Sequence, residues 1–398
     1  MRIGIAISKD DPQIGGGLTY IQEILVAING VLAESKHTFY LIGYEPEKPA
    51  HLSDVRLPWL TLDQAGLLSR PPARDYEYFP DIAAANLDLI CYLQPWMGEI
   101  LDIPYISTVW DLQHRLQPFF PEVSLFGEFD RREEMYRRSL QRAAYIIAPN
   151  EVGKQEIVTF YQVAPERVRS IHHPTPAFAL DPKPHPDEEG LFRRLGVDRP
   201  YLFYPAQLWP HKNHILLLLM LKDLKNRHGL DLLLVLTGSD RKNLPFITEK
   251  IAQLGLEEQV ILAGFVRQPD LPVLYRKAAA LVFPSLFGPE NFPPLEAFAL
   301  ECPVVAGRIP GASEQMGDAA ILVDPTNHQL WSDAVVRVLQ EKELRATLIA
   351  RGKKRAFSFG PTEFAREMLR LFDEFELYRR TWPSSEDSSQ VREGTGTW

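Results

Sequence analysis

Short apolar runs rich in β-branched and aromatic residues alternate along this chain with longer stretches of helical periodicity. Residues 2–7, 38–44, 87–93, 105–109, 145–148 and 168–172 read as buried strands, separated by helical patterns such as 20–32 and 129–143. Continuous apolar strands between helices are what a parallel sheet covered on both faces requires. A connector follows: PTPAFALDPKPHPDEE over 174–189 holds five prolines and four acids, which leaves little room for a regular element. The alternation then resumes with strands at 201–204, 232–237, 260–263, 280–283, 303–306 and 321–323 and a helix over 215–225. Between 362 and 380, Phe364, Met368, Leu371, Phe372 and Phe375 fall on one helical stripe. The pattern predicts an α/β chain of two Rossmann-like, doubly wound parallel-sheet domains facing a cleft. The expected parts are a first domain over 1–175, a linker over 176–190, a second domain over 191–360, a helix over 361–382 and a disordered polar tail over 383–398.

Composition narrows the function class. The chain has 398 residues, 24% charged and 45% hydrophobic, ordinary values for a globular protein longer than one domain. A net charge of −9 argues against a nucleic-acid binder, whose footprint is a basic surface. Cys91 and Cys302 are the only cysteines and both lie in apolar, strand-like surroundings, which supports neither a disulfide framework nor a cysteine zinc site. The first apolar run stops at Lys9, Asp10 and Asp11, too early for a signal-peptide core. The richest run, 215–221, meets Lys222, Asp223 and Lys225, well short of the ~18 apolar residues of a membrane span. The expectation is a cytoplasmic protein, at most peripheral to the inner face of a membrane. Arg137, Arg138 and Arg142, and the basic run Arg351 to Arg355, offer either an anionic-lipid contact or merely solvated helix faces.

Four segments carry candidate chemistry. Gly15, Gly16 and Gly17 follow the first strand, where glycines let a backbone approach a ligand or simply form a turn; Tyr20 stands where a dinucleotide fingerprint needs a third glycine. YISTVWDLQHRLQPFF over 105–120 ends a strand in a polar turn with Asp111 and His114, beside the flat face of Trp110. An aspartate there also suits a plain turn. In YLFYPAQLWPHKNH, over 201–214, Lys212 sits between a strand end and a helix start, with Asn213 the expected N-cap. A lysine at that place can neutralise a diphosphate, or stand in solvent as most lysines do. His211 and His214 lack the further ligands a zinc site needs. In FPSLFGPENFPPLEAFAL, over 283–300, a strand end and a turn lead into a helix expected to open at Pro293-Pro294 and to carry Glu296 in its first turn. Free N–H groups there would attract phosphate or sugar oxygens, and the carboxylate would accept from vicinal hydroxyls or serve only the helix dipole.

In this order the glycine run, VWDLQHR, PAQLWPHKNH and FPSLFGPENFPPLEAFALECPVV, continued by GASEQMGDAAILVDP, resemble the family 4 (group 1) retaining glycosyltransferases. The resemblance covers most of residues 1–380. It implies the GT-B fold, an acceptor-side first domain, a nucleotide-sugar-binding second domain, a final helix crossing back to the first domain, and no metal or other cofactor. It places Glu296 on the donor ribose, Lys212 on the donor diphosphate, and Gly15, Gly16 and Gly17 on the diphosphate side of the cleft. Three positions depart from the family pattern. Gly288 replaces the first glutamate of the paired motif, eight residues before Glu296, which brings in Glu290, Asn291 and Phe292 as donor-binding candidates. Gln207 replaces the arginine paired with the lysine, and Trp110 replaces the histidine before Asp111. Lys212, Asp111 and His114 are the resulting catalytic candidates.

The implied activity is transfer of a hexose, with mannose a candidate, from a nucleoside diphosphate sugar to a hydroxyl of a glycan, glycolipid or small molecule. Its setting would be polysaccharide or glycolipid synthesis. Two other readings compete: a nucleotide-sugar epimerase on the same fold, which needs no acceptor, and a non-catalytic nucleotide-sugar-binding protein, suggested by Gly288 and Gln207.

Overall fold

The computed structural model describes residues 1–7, 15–62, 80–95 and 103–383. The first domain is a seven-stranded sheet in the order β3-β2-β1-β4-β5-β6-β7. Its strands are β1 (Arg2–Ala6), β2 (Thr38–Gly43), β3 (Trp59–Thr61), β4 (Leu89–Tyr92), β5 (Tyr105–Thr108), β6 (Tyr145–Ala148) and β7 (Val168–Ser170). The second is a six-stranded sheet in the order β10-β9-β8-β11-β12-β13, from β8 (Tyr201–Pro205), β9 (Leu233–Thr237), β10 (Val260–Gly264), β11 (Ala280–Phe283), β12 (Val304–Gly307) and β13 (Ala320–Val323). All pairs in both sheets are parallel. In each sheet the winding reverses once, between β1 and β4 and between β8 and β11. Those two reversals open a crevice at the carboxyl ends of the strands, where loops diverge to opposite faces.

The apolar runs become strands because both sheet faces are covered. Ile3, Ile5, Leu89, Cys91 and Ile106 are at or near zero exposure, as are Leu202, Phe203, Leu234, Leu281 and Val305. Only β3 escapes the sequence pattern, as a three-residue edge strand whose Trp59, Leu60 and Thr61 are half-buried. The last helix, Pro361–Arg379, lays its predicted stripe into the core of the first domain beside Ile3, Tyr20 and Ile24. Arg379 pairs with Asp88 at 2.8 Å and Arg366 with Glu34 at 3.0 Å along its flank. No helix among the described residues is long and apolar enough to cross a membrane. The expected disordered tail lies outside the described residues from 384 onward.

Two local expectations change. The Gly15–Val31 helix starts at the glycines instead of near Tyr20, so these form its first turn. The connector holds short helices, Ala177–Leu180 and Glu188–Leu195, the second capped by Asp187, which accepts from the Gly190 N–H at 2.7 Å.

The domains are joined along the crevice by specific bonds. Gln117 Nε2 donates to the Leu286 carbonyl at 2.9 Å. Asn150, N-cap of the Glu151–Tyr161 helix, donates from Nδ2 to the Pro289 carbonyl at 2.8 Å. The His173 N–H donates to Glu290 at 2.6 Å, and the Glu151 N–H to Glu314 at 2.9 Å.

Candidate functional site

Lys212 stands where β8 leaves the second sheet, at the end of the 3-10 turn Pro210–Lys212 and ahead of the His214–His228 helix. Its carbonyl accepts from Tyr204 Oη at 2.8 Å. Its ammonium reaches Asn291 Oδ1 at 3.3 Å and Ser285 Oγ at 3.4 Å and lies 5.4 Å from the Phe283 ring centre. These are long bonds to neutral partners, so the cation is placed but not neutralised. Burial pulls its pKa down to about 8, while the charges of Asp111 and Glu122 across the crevice act the other way. Asn213 takes the N-cap position expected of it, but its side chain does not cap the helix. Its backbone is left-handed (φ 58°), and its side chain instead donates to the carbonyls of Pro325 at 2.8 Å and Pro284 at 3.3 Å, tying the lysine turn to the loops after β11 and β13. Gln207, on the same loop, accepts from Trp209 Nε1 at 2.9 Å.

The loop after β11 closes the other side. Gly288 has φ +126°, and a Cβ there would lie 2.7 Å from the Asn291 amide, so a side chain at the position that carries a glutamate in the resembled motif would be strained and would displace Asn291. The Asn291 amide folds back onto the Gly288 carbonyl at 2.9 Å and accepts from Lys212. Gln315 holds the Asn291 backbone from both sides, at 3.1 Å and 2.7 Å. Because Asn291 is extended (φ −141°, ψ 138°), its neighbours point away from it. Glu290 turns to the first domain, against the His172 ring and the His173 N–H, and Phe292 stacks on His173 with centroids 5.2 Å apart at 12°. Of the two substitutes considered for the missing glutamate, Glu290 and Asn291, the structure brings only the Asn291 side chain to Lys212.

Glu296 lies one turn into the Phe292–Ala299 helix rather than in its first turn. It is buried, accepts from Tyr275 Oη at 2.5 Å, and burial pushes its pKa up to about 7 against that hydrogen bond. The helix start is also a poorer anion site than expected. Pro293 and Pro294 have no N–H, and the Asn291 N–H is already taken by Gln315.

On the first domain, Asp111 accepts from the Gln113 N–H at 2.9 Å and pairs with Arg132 at 3.2 Å, a turn-forming role. His114 is fully buried, 3.2 Å from Tyr161 Oη, 3.5 Å from Glu133 and stacked on Tyr136. Burial takes its pKa down to about 4, so it is a neutral core imidazole with no surface toward the crevice. Trp110 packs edge-on against Tyr20 at 5.6 Å. The Gly15–Gly17 turn follows β1, at the reversal of the first sheet.

Two features escape a sequence reading. Glu122, on the short Pro121–Ser124 helix, accepts from both the ring and the backbone N–H of His211, next to Lys212. Nothing in the local pattern marks it. A cavity of about 170 Å³ lies beyond β8, β9 and β10, lined by Leu208, Gly238, Ser239, Asp240, Leu262 and the exposed ring of Phe265. Gly238 (φ +132°) allows the close approach of Ala206, whose carbonyl oxygen lies 2.4 Å from where its Cβ would be. The Gly-Ser-Asp run directly after an apolar strand was the legible signal for it. Among the described residues, His37, Asp373 and Glu376 are grouped at metal-binding distance, at the amino edge of the first sheet and already bridged by Lys36.

Residues 189–355 match the model of the glycosyl transferases group 1. The chain is 24% identical to the O-antigen chain mannosyltransferase RfbU of Salmonella typhimurium over 238 residues, 60% of this chain and 63% of that protein. It is 24% identical over 278 residues to the O-antigen chain mannosyltransferase B of Escherichia coli, 67% of this chain and 73% of that one. Among solved structures, a glycosyltransferase from Rickettsia africae superposes with a TM-score of 0.73 at 16% identity, covering 94% of this chain and 98% of the other. Anabaena Alr3699/HepE, solved with UDP and glucose, gives 0.70 at 18% identity over 94% and 100%.

Proposed function

Since residues 189–355 are group 1 glycosyltransferase sequence and the chain has the GT-B fold, we propose that it transfers a hexose, mannose first among the candidates, from a nucleoside diphosphate sugar to a hydroxyl acceptor, retaining anomeric configuration. The observation that carries the reading is Lys212: a buried cation at the strand reversal of the second sheet, held by neutral side chains and facing the other domain. Such a group gains most when a diphosphate beside it accumulates charge. In this reading the base enters the cavity beside Phe265, Glu296 takes the ribose hydroxyls, and the first turn at Gly15–Gly17 offers N–H groups to the phosphates. Asn291 meets a hydroxyl of the donor sugar. The bond from the anomeric carbon to the phosphate oxygen breaks as the bond to the acceptor oxygen forms on the same face. The acceptor proton passes to the departing phosphate, so the step calls on neither a protein base nor a metal. Glycans, glycolipids and small alcohols are the acceptor classes, met in the cytoplasm or at the inner membrane face.

Incubating the protein with a panel of nucleotide sugars, with and without acceptors, tests the proposal. Nucleoside diphosphate release that depends on acceptor supports transfer; acceptor-independent sugar conversion means epimerisation, and saturable binding without turnover means a binding protein. Lys212→Ala should lower turnover by at least a hundredfold while preserving the fold; near-normal transfer removes its assigned role.

A further inference from the structure

We propose that Glu122 is an acceptor-binding residue whose carboxylate works at both ends: Oε1 clasps the turn carrying Lys212, and Oε2 receives a hydroxyl of a sugar acceptor. The assignment of the ligand as an acceptor rests on the transferase reading. The Glu122 side chain is 6% exposed, yet Oε2 has no hydrogen-bond donor, while Oε1 collects the His211 ring and N–H and, at 3.4 Å, Gln113 Nε2. Burial works to raise the carboxyl's pKa, yet the His211 ring and backbone N–H groups hold it below its usual value, so it is an anion with one bare buried oxygen. That arrangement is costly unless something supplies a proton donor.

A second bare acceptor sits on the same joint. Gln117 Oε1 is buried without a donor while its Nε2 binds the Leu286 carbonyl, and the Leu286 N–H in turn donates to the His211 carbonyl at 2.8 Å. Both unsatisfied oxygens therefore hang from the hydrogen-bonded pair His211 and Leu286, at the seam between the domains and next to Lys212. A ligand suited to both oxygens brings O–H or N–H donors. An anion is repelled by Glu122, and a neutral polyol carries donors at sugar spacing. Phe119, 71% exposed and 5.0 Å from Phe120, gives a flat apolar face close by for a sugar ring. Because Oε1 holds the lysine turn, seating an acceptor on Oε2 and closing the crevice onto Lys212 become one event.

The test is a glycoside titration by saturation-transfer NMR, with saturating nucleoside diphosphate and methyl glycosides of mannose, glucose, galactose and N-acetylglucosamine as probes. Glu122→Met should weaken the binding glycoside at least tenfold, equivalent to about 1.4 kcal/mol. Gln117→Met should weaken it severalfold. His211→Ala removes the ring half of the clasp and leaves Oε2 untouched, so it should keep glycoside affinity within threefold. Equal losses in Glu122→Met and His211→Ala would reduce Glu122 to a clasp and overturn the proposal. Unchanged affinity in Glu122→Met, or no glycoside bound by the wild type, would also overturn it. A wild type that binds glycoside but turns over no nucleotide sugar sinks the transferase reading and leaves the glycoside site standing. Active transfer with Glu122→Met binding like wild type sinks the glycoside site alone.

Discussion

Replacing Lys212 with methionine should stabilise the empty protein while abolishing its chemistry. The folded state holds the ammonium at a pKa of about 8 against an ordinary 10.5, so charging it in place is penalised. At roughly 1.4 kcal/mol per pH unit across that interval the ceiling is about 3 kcal/mol. Residual exposure of the side chain screens this toward about 2 kcal/mol. Methionine keeps the length and the contact with Phe283 and removes the charge. The penalty is complete below pH 8, where folded and unfolded chains both carry the proton, and it shrinks as pH rises toward 10.5, because the folded lysine discharges first. Urea or thermal melts of wild type and Lys212→Met between pH 6 and 10 should therefore show the variant ahead by about 2 kcal/mol at pH 6 to 7, with the gap narrowing above pH 8. For domains of this size that is about 4–8 °C in Tm. Saturating nucleoside diphosphate should reverse the order, since only the wild type pairs the phosphate charge. A gap that does not change with pH, or a variant less stable than wild type at pH 7, would refute the reasoning.

Three further outcomes follow from the same geometry. Gly288→Ala should cost about 1–3 kcal/mol in a denaturant melt, because φ +126° and the Asn291 amide leave no room for Cβ. Tyr275→Phe should push the Glu296 pKa further above about 7 and so move the pH at which nucleoside diphosphate affinity declines upward, measured by calorimetry from pH 6 to 9. Asp111→Asn removes a charge that sustains the lysine's proton, so the basic limb of the rate profile should move to lower pH.

The sheets were legible because doubly covered parallel strands must be continuous apolar runs, and such runs need no knowledge of their partners. β3 was not, since an edge strand of three half-buried residues has no apolar signature. Lys212 and Glu296 could be singled out because a strand end followed by a helix start has local chemistry of its own. Asn213 stands at the helix start as expected, but the residue type that caps helices also tolerates a left-handed backbone, and here the second property prevails over the capping bond. His114 misled for a different reason, because nothing beside it in sequence says that Tyr161 and Glu133 will enclose it. The seam was out of reach altogether. Glu122 meets His211 across 89 positions and Glu290 meets His173 across 117, and no short-range pattern encodes either meeting.

The rewritten Gly-Pro-Glu-Asn turn is best understood as a division of labour. Gly288 supplies a backbone angle that lets Asn291 fold back toward it, and the extended backbone at Asn291 then sends residues 290 and 292 to the opposite side. One face of the turn addresses Lys212 with a neutral amide, and the other fastens the domains through His172 and His173. Gly288 offers the lysine no carboxylate from its own domain; the charges that act on it are Asp111 and Glu122, both from the other domain. The electrostatic balance of the lysine is thus made across the seam. A motion that parts the domains acts on it in two opposed directions, relieving the burial that lowers its pKa most and withdrawing the carboxylates that raise it. The charge on Lys212 is therefore tied to how the two domains meet, which a carboxylate within the second domain would not achieve.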